Sequence, residues 1–313
     1  MAETRFLAGL RGNIVLIGAL VANLGIAVAK FIAAAITGSS SMLTEGVHSL
    51  VDCGNQVLLL YGQNRAKQPP DRTHPFGYGR ELYFWAFVVA MLIFAVGAGV
   101  SIYEGVQHYR DPEPLRNPTI NYVVLAVAFV LEAGSWTIAV REMAAERGER
   151  SWWQHVMQSK DPSHFVVLFE DSAALIGLIF AGIGVWASHY FGNPRLDGLA
   201  SIAIGIVLTL VAILLARTAK GLIIGESADP ALIVRIRCAL DARPEITAVN
   251  HVRTIHTAPE SIFVAVSADF ADTITMGEGE RLIEDIEEEL RAISPLLSSI
   301  YIRPERREDA VIA

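Results

Sequence analysis

Six stretches of this chain, near residues 13–36, 40–63, 82–104, 118–140, 163–187 and 197–217, are each apolar and long enough to cross a bilayer, which takes about 20 mostly apolar residues. That pattern limits the first two thirds of the sequence to a bundle of membrane helices, the α-helix being the unit that satisfies its own backbone in hydrocarbon. The composition agrees, with 52% hydrophobic and only 19% charged residues and a mean hydropathy of +0.41. The opening MAETRFLAGLRG runs into the first apolar stretch without a small-residue cleavage site, so it reads as the start of an uncleaved helix.

Arg and Lys should concentrate in cytoplasmic loops. Arg65, Lys67, Arg72 and Arg80 follow the second stretch, Arg141, Arg147, Arg150 and Lys160 the fourth, and Arg217 and Lys220 the sixth, against Arg110, Arg116 and Arg195 on the opposite face. Both termini are therefore expected in the cytoplasm, with the bacterial inner membrane as the simplest location.

After GESADP the texture changes. A helical pattern ends near Leu240, and ITAVNHVRTI and SIFVAVSADF alternate as strands do. Thr275 and Glu278 have capping-box spacing before RLIEDIEEELRAI, whose apolar stripe marks a helix, and SSIYIRP reads as a last strand. The expected organisation is a six-helix membrane domain over 1–225 and a cytoplasmic α+β domain over 226–313, of α-β-β-α-β order and ferredoxin-like. The net charge of −8 resides in that tail, with 17 acidic and 9 basic residues beyond Gly225 against 16 of each before it. An acidic tail on a neutral body argues against nucleic acid as a partner, since phosphate binding needs a basic surface. Cys53 and Cys238 lie far apart and form no CxxC pair, so they suggest neither a disulfide framework nor a thiolate metal site.

The second apolar stretch carries HSLVD. A charged side chain at the bilayer centre costs about 2.5–3.5 kcal/mol on insertion scales, so His48 and Asp52 call for a compensating partner. One helical turn apart, they project from one face and can reach one ion. Imidazole and carboxylate are ordinary zinc ligands, and one helix can supply half of a tetrahedral shell. The natural source of the other half is the fifth stretch, DPSHFVVLFEDSAALIGL, with His164, Glu170 and Asp171. Adjacent residues point about 100° apart on a helix, so Asp171 is the expected ligand, and Glu170 either joins it or acts from behind or through water. A structural His–Asp pair is the plain alternative. Lys30 is expected to snorkel to the interface, Glu132 to serve as a structural hydrogen bond or a relay, and Cys53 to pack.

On these features the sequence resembles the cation diffusion facilitators, a family of zinc and related divalent-cation transporters. The resemblance rests on six helices with an α+β tail, His48-Ser-Leu-Val-Asp52, the preceding TGSSSML and the following DRTHPFGYGRE, and it covers essentially the whole chain. VLFEDSAALIGL looks most like the branch that contains the mitochondrial zinc transporter of eukaryotes. The resemblance implies a homodimer in the bilayer that exchanges a cytosolic divalent cation for protons, with no prosthetic group and no enzymatic step. It carries His48 and Asp52 over directly. In the fifth helix, ending the family's pattern at Asp171 puts Val167 where a ligand is usual, leaving Glu170, His164, Asn55 or water to complete the shell. Asp71 and His74 correspond in part to a second metal site of some members, with Tyr78 where a histidine is expected. His251 and His256 are the only tail histidines, and Ser267 stands where a tail ligand would sit.

Zinc is the expected cargo, the same donors also accepting manganese, iron, cobalt or cadmium. Neutral His48 and ionised carboxylates bind metal, so protons entering these groups expel it. Glu45, one turn before His48, could assist that exchange, although a solvated helix end is its plainer role. Two rivals are a membrane-embedded metal enzyme, for which no HExxH-like motif appears, and a non-transporting metal sensor or scaffold acting through the tail.

Overall fold

The computed structural model describes residues 20–147 except 22, then 151–152 and 159–310, without the side chains of residues 146 and 164. The expected first span begins at 13, so its opening lies outside the described residues, as does Arg150. The helices of the first two thirds are α1 (Asn23–Thr37), α2 (Ser40–Ala66), α3 (Glu81–Arg110, with a π-helical segment Ile93–Ala98), α4 (Pro118–Arg147), α5 (Pro162–Phe191) and α6 (Arg195–Ile224). Four of these, α3 to α6, are long and apolar enough to cross a membrane by length and composition.

The helix α2 falls outside that group because of the residues it buries. Ser40, Ser41, Thr44, Glu45, His48, Ser49 and Asn55 face inward, whereas Leu50, Val57 and Tyr61 are each about half exposed. Polar groups inside and apolar ones outside is the pattern of a helix solvated by lipid, where a polar group needs a protein partner. On α6 a stripe of Ala200, Ile204, Leu208, Ala212, Leu215, Ala219 and Leu222 is buried, while Leu199, Ile206, Leu210 and Ile213 lie open on the other side. Apolar residues all round, with alanines set among the larger ones on the inward face, are what close helix packing in lipid needs. α4 packs along α5.

The boundaries of α5 are written locally. Asp161 caps its start by accepting from the Ser163 N–H, Pro162 occupies the first turn, and Gly192 ends it in the left-handed conformation (φ 62°). Near that end Trp186 stacks on Tyr190, with ring centroids 5.4 Å apart, and Phe191 meets both rings edge-on. All three are exposed, as aromatic side chains at a membrane–water interface are.

The described residues divide into two compact units. One holds the chain up to Asn64 and Phe84–Ala219, and the other Arg65–Tyr83 and Lys220–Ala313. In the second, α7 (Pro230–Asp241), β1 (Ile246–Ala258), β2 (Ser261–Phe270), α8 (Met276–Ile293) and β3 (Leu297–Pro304) follow in the expected α-β-β-α-β order. β2 is central, antiparallel to β1 and parallel to β3. The sheet has three strands among the described residues, so the first strand of the βαββαβ ferredoxin-like unit has no counterpart here. Ile262, Val264, Val266 and Ala268 of β2 share one core with Ile236 and Leu240 of α7 and Leu282, Ile286 and Leu290 of α8. The Thr275–Glu278 capping box forms as its spacing predicts. The segment 65–83 packs within this unit, Phe76 lying edge-on to Phe263 with centroids 5.5 Å apart.

Candidate metal site

His48 and Asp52 sit in the first half of α2 and share one face, the His48 Nδ1 lying 3.5 Å from Asp52 Oδ1. Neither nitrogen of the buried His48 ring has a hydrogen-bond partner, and Asp52 Oδ1 has none either. Unsatisfied donors and acceptors away from water are costly, so this pair is poorly served by the protein alone.

The sequence pairs α2 with α5, and the structure brings them together. Asp52, Ser49 and Gln56 of α2 line one small cavity with Glu170, Asp171 and Val167 of α5, Glu132 of α4 and Asn23 of α1. Its volume is about 20 Å³, room for about one water-sized occupant. Glu170 is buried, and its Oε1 accepts from the Asn55 amide at 2.7 Å. Asn55 Oδ1 remains without a partner. Asp171 is held from α4, its Oδ2 accepting from Ser135 Oγ at 2.8 Å. The two acids thus point in different directions and take different partners, as residues 100° apart on a helix do. Val167 lines the cavity and offers it no ligand atom. Among the described residues no group of three His, Cys, Asp or Glu side chains is already gathered closely enough to hold a metal. The His164 side chain, a further expected donor, lies outside what the structure describes.

Two expectations need correction. Lys30 does not snorkel and Glu45 is not solvated: both are 0% exposed, and they form an ion pair at 2.9 Å. Lys30 also donates to Ser49 Oγ at 2.8 Å. The reason is the inward polar face of α2, which gives a lysine on α1 an acid and a hydroxyl to bind. Sequence reading also missed Asp197, buried at the start of α6. It accepts from Ser39 Oγ at 3.1 Å, from the Ser41 N–H at 3.2 Å and from Ser41 Oγ. The signal was present in the TGSSSML run, whose hydroxyls needed an acceptor. Cys53 is buried, as a packing residue is.

The loop that holds Asp71 and His74 is occupied by its own hydrogen bonds. Asp71 Oδ1 accepts from the Thr73 and His74 N–H groups at 2.8 and 2.6 Å, and Oδ2 from Tyr78 OH at 2.7 Å. The Tyr78 bond, then the His74 N–H, hold the Asp71 carboxyl below its ordinary range, and the same bond pushes the Tyr78 phenol up. Both oxygens of this acid are thus engaged within the loop. In the sheet, Ser267 Oγ donates to Glu305 Oε2 at 2.6 Å, and His256 is buried with Nδ1 3.4 Å from the Ala258 carbonyl oxygen.

A helical bundle whose carboxylates line one cavity behind apolar outer faces is an arrangement found along the ion and proton paths of membrane proteins. The model of the cation efflux transmembrane domain matches residues 16–224, and the chain belongs to this family, the cation diffusion facilitators. It is 34% identical over 243 residues to the human mitochondrial proton-coupled zinc antiporter SLC30A9, covering 77% of this chain and 43% of that one. Metal tolerance protein C4 of Arabidopsis thaliana is 34% identical over 196 residues, covering 62% and 43%. The cation-efflux pump FieF of Escherichia coli O9:H4 is 23% identical over 253 residues, covering 80% and 79%. The chain thus spans less than half the length of the mitochondrial relative. The relatives named here are described as transporters or metal-tolerance proteins, in mitochondria as well as in a bacterium.

Proposed function

We propose that this protein is a proton-coupled exporter of a divalent cation, zinc first, working as a homodimer with six spans and both termini on the cytoplasmic side. The observation that carries the reading is the cavity that Asp52, Glu170 and Asp171 line together. Zinc would be bound by His48 and Asp52 from α2 and Asp171 from α5, with Glu170 or Asn55 Oδ1 completing the shell. Mixed nitrogen and oxygen donors favour zinc over magnesium or calcium. His48 and Asp52 lack protein partners for the atoms that would ligate, which suits donors kept for a passing ion. Because the donors are not yet gathered, binding is expected to draw α2 and α5 closer, and this closure supplies a means of alternating access.

The exchange follows from competition. Metal requires neutral imidazole and ionised carboxylates, so protons entering the cavity release it, and metal entering displaces protons. The zinc and proton specificity named for the mitochondrial relative supports this choice of cargo and driving ion. Purified protein in proteoliposomes should accumulate zinc when a pH gradient is imposed, and Asp52→Ala should abolish accumulation. Undiminished zinc movement by that variant would refute the site.

A further inference from the structure

Lys30 has no part in the site just described, yet it is fully buried beside it. Its ammonium lies between Glu45 Oε2 at 2.9 Å and Ser49 Oγ at 2.8 Å. Ser49 lines the acidic cavity, and Glu45 lies one turn farther toward the start of α2. With the proposed topology that direction is outward. The second Glu45 oxygen, Oε1, is buried without a hydrogen-bond partner. It abuts Gly177 of α5, where any side chain would collide with it. Three helices thus converge on one ion pair immediately outward of the cavity.

While the pair is closed the Lys30 ammonium occupies a carboxylate that an outgoing cation would meet. Any ion that pulls Glu45 away faces an unscreened positive charge in a low-dielectric bundle. An ion that has reached Asp52 from the cytoplasm cannot move outward past Lys30 while the pair is closed. Separating the pair leaves two buried charges unmatched, which is strongly unfavourable unless another charge replaces one of them. The departing metal is such a charge, and Glu45 Oε1 is an oxygen already free to meet it. We propose that the Lys30–Glu45 pair is the outer gate of the cation path, with Lys30 a tethered cation that the transported ion displaces from Glu45. This rests on the transport reading above.

The test uses the full chain, and compares Lys30→Gln, Glu45→Gln and the exchanged pair Lys30→Glu with Glu45→Lys. Three quantities are measured: zinc uptake into proteoliposomes under a pH gradient, zinc binding by calorimetry in detergent, and hydrogen exchange of residues 40–49. Each single variant should slow uptake about tenfold or more, Glu45→Gln by leaving the ammonium unpaired across the path and Lys30→Gln by leaving a bare buried carboxylate that holds the departing ion. Each single variant should still bind zinc, because neither residue lines the cavity, the affinity shifting only with the change of neighbouring charge. Exchange in the first turns of α2 should rise, and the exchanged pair should recover much of the uptake. Wild-type uptake by Lys30→Gln would overturn the gate, and so would loss of zinc binding together with uptake, which would make the pair part of the binding site. Failure of all three variants to fold would also overturn it, showing a purely structural pair. If the unaltered protein moves no zinc while Lys30→Gln still raises exchange in α2, the transport reading falls and the latch across α1 and α2 stands.

Discussion

Asn55 has no charge and lies in a stretch that reads as apolar, yet it sets the direction of Glu170 across a helix interface. Replacing it with Ala removes that donor and leaves a buried carboxyl oxygen without it. Interhelical hydrogen bonds in membranes contribute about 0.6–2 kcal/mol, so thermal unfolding of Asn55→Ala in detergent should show a loss of that size. Zinc affinity measured on the same sample should fall too, since Glu170 is no longer aimed. His48 and Asp52 were legible because spacing along one helix fixes their relative direction. The Lys30–Glu45 pair was not, because 15 residues and a turn between helices separate its members. Only packing decides that a lysine near a helix end turns inward. The same holds for Ser135, whose bond to Asp171 depends on how α4 lies against α5.

Elements are tied by contacts that outlast any single side chain. The start of α2 is stitched to the start of α6 by Ser39, Ser41 and Asp197, and by Thr44 with Ser201. Asp197→Ala leaves several buried donors unmatched, each costing about 1–3 kcal/mol, and should lower the unfolding temperature more than Asn55→Ala does. In the loop after α2, Gly79 packs against the end of β1, where a Cβ would lie 2.5 Å from Ala258 Cβ and 2.6 Å from the Thr257 carbonyl oxygen. Overpacking of this kind costs about 1–3 kcal/mol, so Gly79→Ala should raise hydrogen exchange across residues 71–83. The same loop gives a pH prediction. Asp71 is held below its ordinary value of 3.8, so its contribution is complete above that value and is lost as pH falls through the lower, folded one. Protection of the Thr73 and His74 amides should be flat from about pH 5 to 8 and fail below about pH 4. Tyr78→Phe removes the largest cause of the depression and moves that failure to higher pH.

At the scale of the whole molecule, the apolar runs and the period-two and period-3.6 patterns made the helices and the α-β-β-α-β order readable. The strand arrangement was less so, since only the length of the α8 crossover makes β3 parallel to β2. Grouping residues 65–83 with the sheet was also beyond a reading that follows the chain in order. The proposed sidedness has a direct check. Cys238 is exposed and Cys53 buried, so a membrane-impermeant thiol reagent should label Cys238 alone, in inside-out vesicles and not in intact cells. Labelling of intact cells would reverse the topology.

The aromatic stack of Trp186, Tyr190 and Phe191 ends the helix that carries Asp171. At 1.5 Å per residue, the 15 residues from Asp171 to Trp186 span about 22 Å. Rings that favour the headgroup layer fix the altitude of that helix, so acyl-chain length becomes a dial on how deeply the carboxylates are submerged. Lipids of different thickness should retune turnover without touching a ligand, and Trp186 fluorescence, in a variant with the other four tryptophans replaced, gauges that immersion.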